Sequence, residues 1–261
     1  MKFMAWLKSV FQGNRPSKDV KAVCFGMGSS KSAGKCPGAV LDATRFSSIV
    51  RKWATAGTTV LLDGQATHSA ASLAMQEAVQ HSLAVIFYSG HGGRDDRDRP
   101  GAVGETDRRD EYLCFYDSMM RDDEVWQIVS NAKGRVFMVF DCCHSGTMYR
   151  AVEVGRDDAF DVVTEKTVET GAYPFTLARF KDSPAALGKE PDMLVWSAAR
   201  EFEYSYGGND GGVFTNKLLT AYGKNRTYEK MWRTIVSWMK GEPNVPVRTQ
   251  FGSGFDGKIF R

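Results

Sequence analysis

The segments LAVIFYSGHGG at residues 83–93 and VFMVFDCCHSG at residues 136–146 decide the fold. Each begins with an apolar run, at 83–89 and at 136–140, in which polar and apolar residues do not alternate. A run that is apolar on both faces is typical of a strand buried in a parallel sheet. Each run then continues into Gly, Ser, His or Cys. In parallel sheets, functional sites lie at this carboxyl end of the strands.

The rest of the chain alternates strands with helices. Strands are predicted at residues 20–27, 58–63, 83–89, 136–140 and 193–197, with an edge strand in the tail from Pro243. Helices are predicted at residues 39–56, 67–81, 125–132, 213–222 and 228–239. This alternation predicts an α/β fold with a mostly parallel sheet of about six strands, covered by helices on both faces. The charged stretch 94–124 is predicted to be a loop.

Composition excludes several classes of protein. The chain has 261 residues, of which 43% are hydrophobic and 25% charged, as expected for a globular protein. No apolar run approaches the roughly 20 residues that span a bilayer. The net charge of +3 is too small to predict a nucleic acid or an anionic membrane as a partner.

The chain is predicted to form one domain over residues 20–261, preceded by an N-terminal extension at 1–19. The first eleven residues, MKFMAWLKSVF, lack the long apolar region of a secretory signal. Residues 151–190 have no sustained periodicity and are predicted to be a linker or loop between two halves of the domain. The five cysteines form no CxxC pair, which favours a reducing, cytoplasmic compartment.

His91 and Cys143 follow the two apolar strands, although 52 residues separate them. If the strands are neighbours, the two side chains face each other across a cleft. Peptide cleavage by cysteine needs a thiolate nucleophile and a proton donor for the leaving amine. The amides of Gly92 and Cys143 are candidate donors to the oxyanion. Either motif alone is compatible with a structural role, whereas the pair in this order favours catalysis.

These residues resemble a known family. Tyr-Ser-Gly-His-Gly at 88–92 and Asp-Cys-Cys-His-Ser-Gly at 141–146 look like the motifs of the metacaspases and their prokaryotic relatives, the orthocaspases. The segments at 38–43, 197–199 and 212–215 resemble further family segments. The resemblance implies a caspase-like three-layer sandwich and a cysteine endopeptidase. It also implies that Cys143 is the nucleophile and His91 the second member of the dyad.

The two residues that flank Cys143 have an alternative function. Cys142, Cys143 and His144 together could bind a structural zinc ion. Adjacent residues cannot readily close a tetrahedral site, however, so we expect Cys142 and His144 to be neighbours of the nucleophile without a catalytic role.

Charge predicts the cleavage specificity. Asp141 precedes Cys143 by two residues, and the resemblance implies that Asp42 and Ser89 line the same substrate pocket. Two carboxylates in a partly desolvated pocket favour a cation. The expected cleavage is therefore after Arg or Lys and not after Asp. A helix-surface role for Asp42 and a turn-capping role for Asp141 remain open alternatives.

The chemistry requires no cofactor, but the acidic stretch 94–124 suits Ca²⁺. In many metacaspases calcium activates the enzyme, and Asp110, Asp122 and Asp123 match three family ligand positions. The fourth position carries Arg150, a cation that opposes a metal. The alternative for this stretch is a solvated loop of Arg–Asp pairs.

Three further expectations concern partners and regulation. Protein or peptide substrates with Arg or Lys at the cleaved position are the predicted partners, and the resemblance implies a monomer. The basic residues of 151–190 make self-processing there an expectation. The alternatives are a caspase-like protein that stays inactive until a partner or signal releases it, and a non-catalytic binding scaffold.

Overall fold

The computed structural model describes residues 19–31, 33–95, 110–144, 191–199, 207–224, 227–255 and 257–260, with the backbone alone at 94, 95, 110, 143, 144 and 224. The predicted extension at 1–19, apart from its last residue, and the predicted linker at 151–190 lie outside the described residues. Arg150 lies outside them as well. Within the described residues no helix has the length and apolar character that crossing a membrane requires.

The described residues form twelve strands, five helices and one 3₁₀ turn. The strands are β1 Val20–Gly26, β2 Ser29–Ser30, β3 Gly34–Lys35, β4 Thr58–Leu62, β5 Leu83–Asp95, β6 Asp110–Cys114, β7 Met119–Arg121, β8 Arg135–His144, β9 Met193–Ser197, β10 Gly207–Gly208, β11 Gly211–Gly212 and β12 Val247–Phe251. The helices are α1 Ala39–Val50, α2 His68–Ala78, α3 Asp122–Ser130, α4 Val213–Lys224 and α5 Tyr228–Trp238, and the 3₁₀ turn is Asp63–Gln65.

The central sheet runs in the order β12-β9-β8-β5-β1-β4. All its neighbouring strands are parallel except β12, which pairs antiparallel with β9. This architecture confirms the predicted mostly parallel sheet of about six strands. The predicted edge strand in the tail is β12. Residues 83–90 and 136–142 are buried throughout, as expected for central strands covered on both faces.

Two apolar layers sandwich the sheet. The helices α1, α4 and α5 bury their apolar stripes on one face, and α2 and α3 cover the other. Ring stacking fixes α1 on the sheet, because Phe46 lies over Phe87 of β5 with 4.4 Å between ring centroids. Asp42, one helical turn before Phe46, is thereby placed over the carboxyl end of β5.

The prediction that 94–124 is a loop is wrong where the structure describes it. Strands β6 and β7 form a hairpin there, and β6 pairs antiparallel with the extended end of β5. The physical reason is a short apolar run, 112–115, whose side chains are buried despite the charged surroundings. Helix α3 begins at Asp122 rather than at residue 125, and the acidic residues of its first turn suit the positive end of the helix dipole.

Candidate active site

The carboxyl ends of β5 and β8 lie side by side. The parallel register pairs Ser89 with Asp141 and His91 with Cys143. Paired positions on neighbouring strands are separated by only about 4.8 Å along the hydrogen-bond direction. Four of the predicted site residues are therefore brought together at one edge of the sheet, although the two segments are far apart in the sequence. Cys143 is placed here by its backbone.

His91 is buried, with 9% of its surface exposed. Its Nε2 lies 2.8 Å from the carbonyl oxygen of Lys35 in β3. Because a carbonyl oxygen only accepts, Nε2 carries the proton of this hydrogen bond. The contact holds the ring in one orientation, and it assigns the neutral imidazole to the tautomer protonated at Nε2.

Asp42 is the first of two buried carboxylates beside this pair. It lies in the first turn of α1 and is 1% exposed. Its Oδ2 accepts hydrogen bonds from Ser89 Oγ at 3.0 Å and from the Gly212 amide at 2.9 Å. The helix-surface alternative for Asp42 is thereby excluded, because a surface carboxylate would be exposed to solvent.

Asp141, the second carboxylate, is 2% exposed. Its Oδ2 accepts hydrogen bonds from the Thr215 amide at 3.0 Å and from Thr215 Oγ1 at 2.6 Å. The β10–β11 hairpin packs directly on this site, since a Cβ at Gly212 would overlap the Asp141 carboxylate. Gly212 and Thr215 contact one carboxylate each and so join the two into one buried acidic cluster. This cluster of Asp42, Ser89 and Asp141 is called the acidic pocket below.

The acidic pocket contains a buried carboxylate whose negative charge is not balanced by its hydrogen bonds. Within the described part of the chain, Asp42 Oδ1 is buried and has no hydrogen-bond partner. Burial, and then the neighbouring Asp141 carboxylate, raise the pKa of Asp42 to about 7. A buried carboxylate with an unsatisfied oxygen is stabilised by a cation at that oxygen. The pocket is therefore suited to a positively charged group.

The raised pKa of Asp42 predicts a pH-dependent effect on stability. Since this pKa lies above that of an unfolded aspartate, the carboxyl group destabilises the fold progressively as pH rises from about 4 to 7. We expect Asp42→Asn to raise the free energy of unfolding at pH 8 by roughly 2–4 kcal/mol relative to the unsubstituted protein, and by almost nothing at pH 4. Urea unfolding of both proteins at each pH measures the difference. A difference independent of pH would contradict this origin.

The other residues of the two motifs differ in their surroundings. Gly92, the proposed oxyanion donor, lies in β5 between Leu113 of β6 and position 144 of β8. Cys142 is 4% exposed and belongs to the apolar layer on the α2–α3 face. Burial raises the pKa of the Cys142 thiol well above its usual value, which disfavours the thiolate that a nucleophile or a metal ligand requires. This argues against the zinc alternative.

The predicted calcium ligands lie at one end of the β6–β7 hairpin. Tyr112 pairs with Arg121, so Asp110 precedes this pair by two residues, and Asp122 and Asp123 follow it directly. Asp122 is fully buried, and its Oδ1 accepts a hydrogen bond from the Asp123 amide at 3.1 Å. Among the side chains that the structure describes, which exclude Asp110, no group of three or more metal-ligating residues lies together.

Three groups of the site were not predicted from the sequence. The amide of Gly212, the hydroxyl of Thr215 and the carbonyl of Lys35 contact Asp42, Asp141 and His91 respectively. Two of these are backbone groups, which no residue type specifies. The Gly-Gly pair before α4 was one signal, because it allows close approach of a backbone to a carboxylate. The resemblance of 212–215 to a family segment was another.

Comparison with known proteins agrees with this architecture. The family model described as Caspase domain matches residues 20–248, most of the chain. A search of curated proteins found no match.

Solved structures share the fold. The crystal structure of protein GSU0716 from Geobacter sulfurreducens is similar with a TM-score of 0.69 at 20% identity, over 93% of this chain and 98% of that chain. Caspase-1 from Spodoptera frugiperda is similar with a TM-score of 0.52 at 12% identity, over 91% and 88% of the two chains. At such identities the similarity establishes the fold alone.

Proposed function

This chain belongs to the caspase domain family, and from that premise we propose that it is a cysteine endopeptidase that cleaves proteins after Arg or Lys. The observation that carries the proposal is the register pair of His91 with Cys143, beside two buried carboxylates at the same edge of the sheet. A peptidase domain with this dyad acts on protein or peptide substrates.

Cys143 and His91 divide the chemistry between them. The proton of the Cys143 thiol passes to Nδ1 of His91, and the thiolate attacks the scissile carbonyl carbon, which forms a C–S bond and gives a tetrahedral oxyanion. The amides of Gly92 and Cys143 donate to this oxyanion. The C–N bond then breaks, and the amine takes a proton from His91. Water hydrolyses the thioester, which releases the acid and returns the thiol. The hydrogen bond to the Lys35 carbonyl supports this role of His91. It occupies Nε2, so the other ring nitrogen, Nδ1, is the one that exchanges the proton.

The acidic pocket selects the residue before the cut. A guanidinium or ammonium group in the pocket satisfies the buried oxygen of Asp42 and offsets the repulsion between the two carboxylates. An aspartate side chain would add a third negative charge in the same volume. Each carboxylate already has one oxygen held by the protein, so the two groups are oriented before the substrate binds.

A panel of fluorogenic peptides tests the proposal. The peptides share one sequence and differ only at the cleaved position, which is Arg, Lys, Gln or Asp. We expect cleavage of the Arg and Lys peptides at rates about 100-fold or more above the other two. Preference for Asp would refute the specificity. Silence with every peptide would favour a latent or non-catalytic caspase-like protein.

We also propose calcium as an activator, since three acidic residues lie at one end of the β6–β7 hairpin. Ca²⁺ at about 1 mM is expected to raise kcat/KM for the Arg peptide at least tenfold, and Asp122→Asn to remove the increase. Mg²⁺ at the same concentration is the control. An unchanged rate, together with no heat of Ca²⁺ binding by calorimetry, would eliminate this proposal.

Three further features complete the proposed function. Self-processing within 151–190 follows from the basic residues of that segment. A monomeric state is proposed from the family resemblance alone. The four cysteines whose side chains are described, at 24, 36, 114 and 142, are all free and buried, which supports the proposal of a reducing, cytoplasmic compartment.

A further inference from the structure

Asp63 has an unusual backbone conformation. It follows β4, begins the 3₁₀ turn and has φ 44°, in the left-handed region. Such a conformation costs a residue with a Cβ about 1–2 kcal/mol, and it persists where the surrounding structure requires it. Among the described non-glycine residues only Phe260 shares a positive φ.

The Asp63 side chain holds the start of the β2–β3 hairpin. Its Oδ1 accepts a hydrogen bond from the Ser29 amide at 2.8 Å. The Asp63 carboxylate also lies against Gly28, the residue before Ser29, because a Cβ at Gly28 would be 3.3 Å from Oδ1. The left-handed turn at Asp63 is therefore what directs its carboxylate towards this hairpin.

The same hairpin holds the His91 ring. Ser29 pairs with Lys35 across the hairpin, and the Cys36 amide donates to the Gly28 carbonyl at 2.8 Å. Lys35 in turn provides the carbonyl that accepts from His91 Nε2 at 2.8 Å. Hydrogen bonds thus run without interruption from the Asp63 carboxylate, through a hairpin of about seven residues, to the imidazole.

A second anchor holds the hairpin at Lys31. The Lys31 amide donates to the Tyr116 carbonyl at 2.8 Å, and the Lys31 ammonium lies 5.3 Å from the centre of the Tyr116 ring. This anchor holds the hairpin tip, whereas Asp63 holds its base, next to the strand that carries Lys35. The base is the part next to the Lys35 carbonyl, because the Cys36 amide donates to the Gly28 carbonyl there.

We propose that Asp63 is a positioning residue for His91, which acts by fixing the β2–β3 hairpin so that the Lys35 carbonyl orients the imidazole. This inference rests on the proposed catalytic role of His91. Asp63 does not touch the reacting atoms. Loss of its hydrogen bond allows the Lys35 carbonyl to move away from Nε2, so the ring is no longer held in one orientation. The rate of proton transfer then falls, while the acidic pocket is unchanged.

Two substitutions separate the hydrogen bond from the backbone conformation. Asp63→Gly adopts φ 44° without strain but has no acceptor, whereas Asp63→Asn keeps the acceptor and tolerates the left-handed region. With the Arg peptide we expect Asp63→Gly to lower kcat about 10- to 100-fold with KM within about threefold. We expect Asp63→Asn to stay within about threefold of the unsubstituted enzyme for both constants.

A readout that does not depend on activity accompanies the kinetics. Long-range ¹H–¹⁵N NMR of the imidazoles reports the tautomer, and His91 is assigned by comparison with His91→Gln. The Nε2-protonated form is expected to dominate in the unsubstituted protein and in Asp63→Asn, and to give way to a mixture in Asp63→Gly. If no peptide is cleaved, the proposed function fails, while the NMR comparison still decides the role of Asp63.

Two results would overturn the inference. One is Asp63→Gly with an unchanged kcat and an unchanged His91 tautomer. The other is Asp63→Asn reduced as far as Asp63→Gly. Circular dichroism checks that each variant folds. If the glycine variant does not fold, Ser29→Pro removes the donor in place of the acceptor, and the same loss of kcat is expected from it.

Discussion

Cys143→Ala is expected to lower kcat/KM for the Arg peptide by at least 10⁴-fold, to the detection limit of the assay. The nucleophile makes the bond that every later step requires, and removing such a residue costs about 10⁶-fold in a well-studied hydrolase. Initial rates of fluorescence release, with enzyme concentration varied over several decades, measure the loss. His91→Ala is expected to lose about 10²- to 10⁴-fold, the usual contribution of a general acid.

Cys142→Ala is the matched control, since it removes the neighbouring thiol from the same strand. Because Cys142 is buried in the apolar layer and its thiol has a raised pKa, its loss should change kcat/KM by no more than about threefold.

Gel electrophoresis of the same preparations tests self-processing. The active enzyme should be cut within 151–190, and Cys143→Ala should remain one band. Equal loss of activity in both cysteine variants would exclude Cys143 as the sole nucleophile.

The second large effect is expected at the acidic pocket. Asp42→Asn and Asp141→Asn should each lower kcat/KM for the Arg peptide by about 10²- to 10³-fold, mainly through KM. Each removes one partner of a desolvated charge pair, which typically costs about 2–5 kcal/mol. Asp42→Asn should at the same time be more stable than the unsubstituted protein above pH 7, so function and stability oppose each other at this residue.

Asp117→Asn is the charge control, because Asp117 is an exposed aspartate outside the acidic pocket and accepts its hydrogen bond from the His68 amide. This substitution should leave kcat/KM for the Arg peptide within about twofold of the value for the unsubstituted enzyme. The peptide with Gln at the cleaved position gives a second comparison. Its slow cleavage should be almost unaffected by either pocket substitution. A uniform loss for all peptides would indicate damage to the dyad and not to specificity.

Most of the fold could be predicted because its central strands are apolar on both faces. The runs at 83–89 and 136–140 can only be buried, and their length excludes helices. Residues 110–121 were missed because they lie within the charged stretch 94–124, whereas their burial depends on the short apolar run 112–115 and on Met120. The two-residue strands of the β2–β3 and β10–β11 hairpins are too short to give a periodic signal.

The candidate site was predictable to the extent that its residues follow strands. Ser89, His91, Asp141 and Cys143 could be assigned to one edge once two strands were taken as neighbours. The partners of these residues were not accessible, because the Lys35 carbonyl and the Gly212 amide act through the backbone. The conformation of Asp63 was equally hidden, since a positive φ at an aspartate depends on the tertiary contacts that hold it.

Covalent labelling with peptidyl chloromethyl ketones, in which the cysteine sulfur displaces chloride, reports the nucleophile and the specificity of the pocket in one measurement. One ketone carries Arg next to the reactive carbon and the other carries Asp, and peptide mapping by mass spectrometry locates the adduct. We expect an adduct on the sulfur of Cys143 with the Arg ketone, almost none with the Asp ketone, and a labelling rate that falls at least 100-fold in Asp42→Asn. An adduct on any other cysteine, or equal labelling by both ketones, would contradict this expectation.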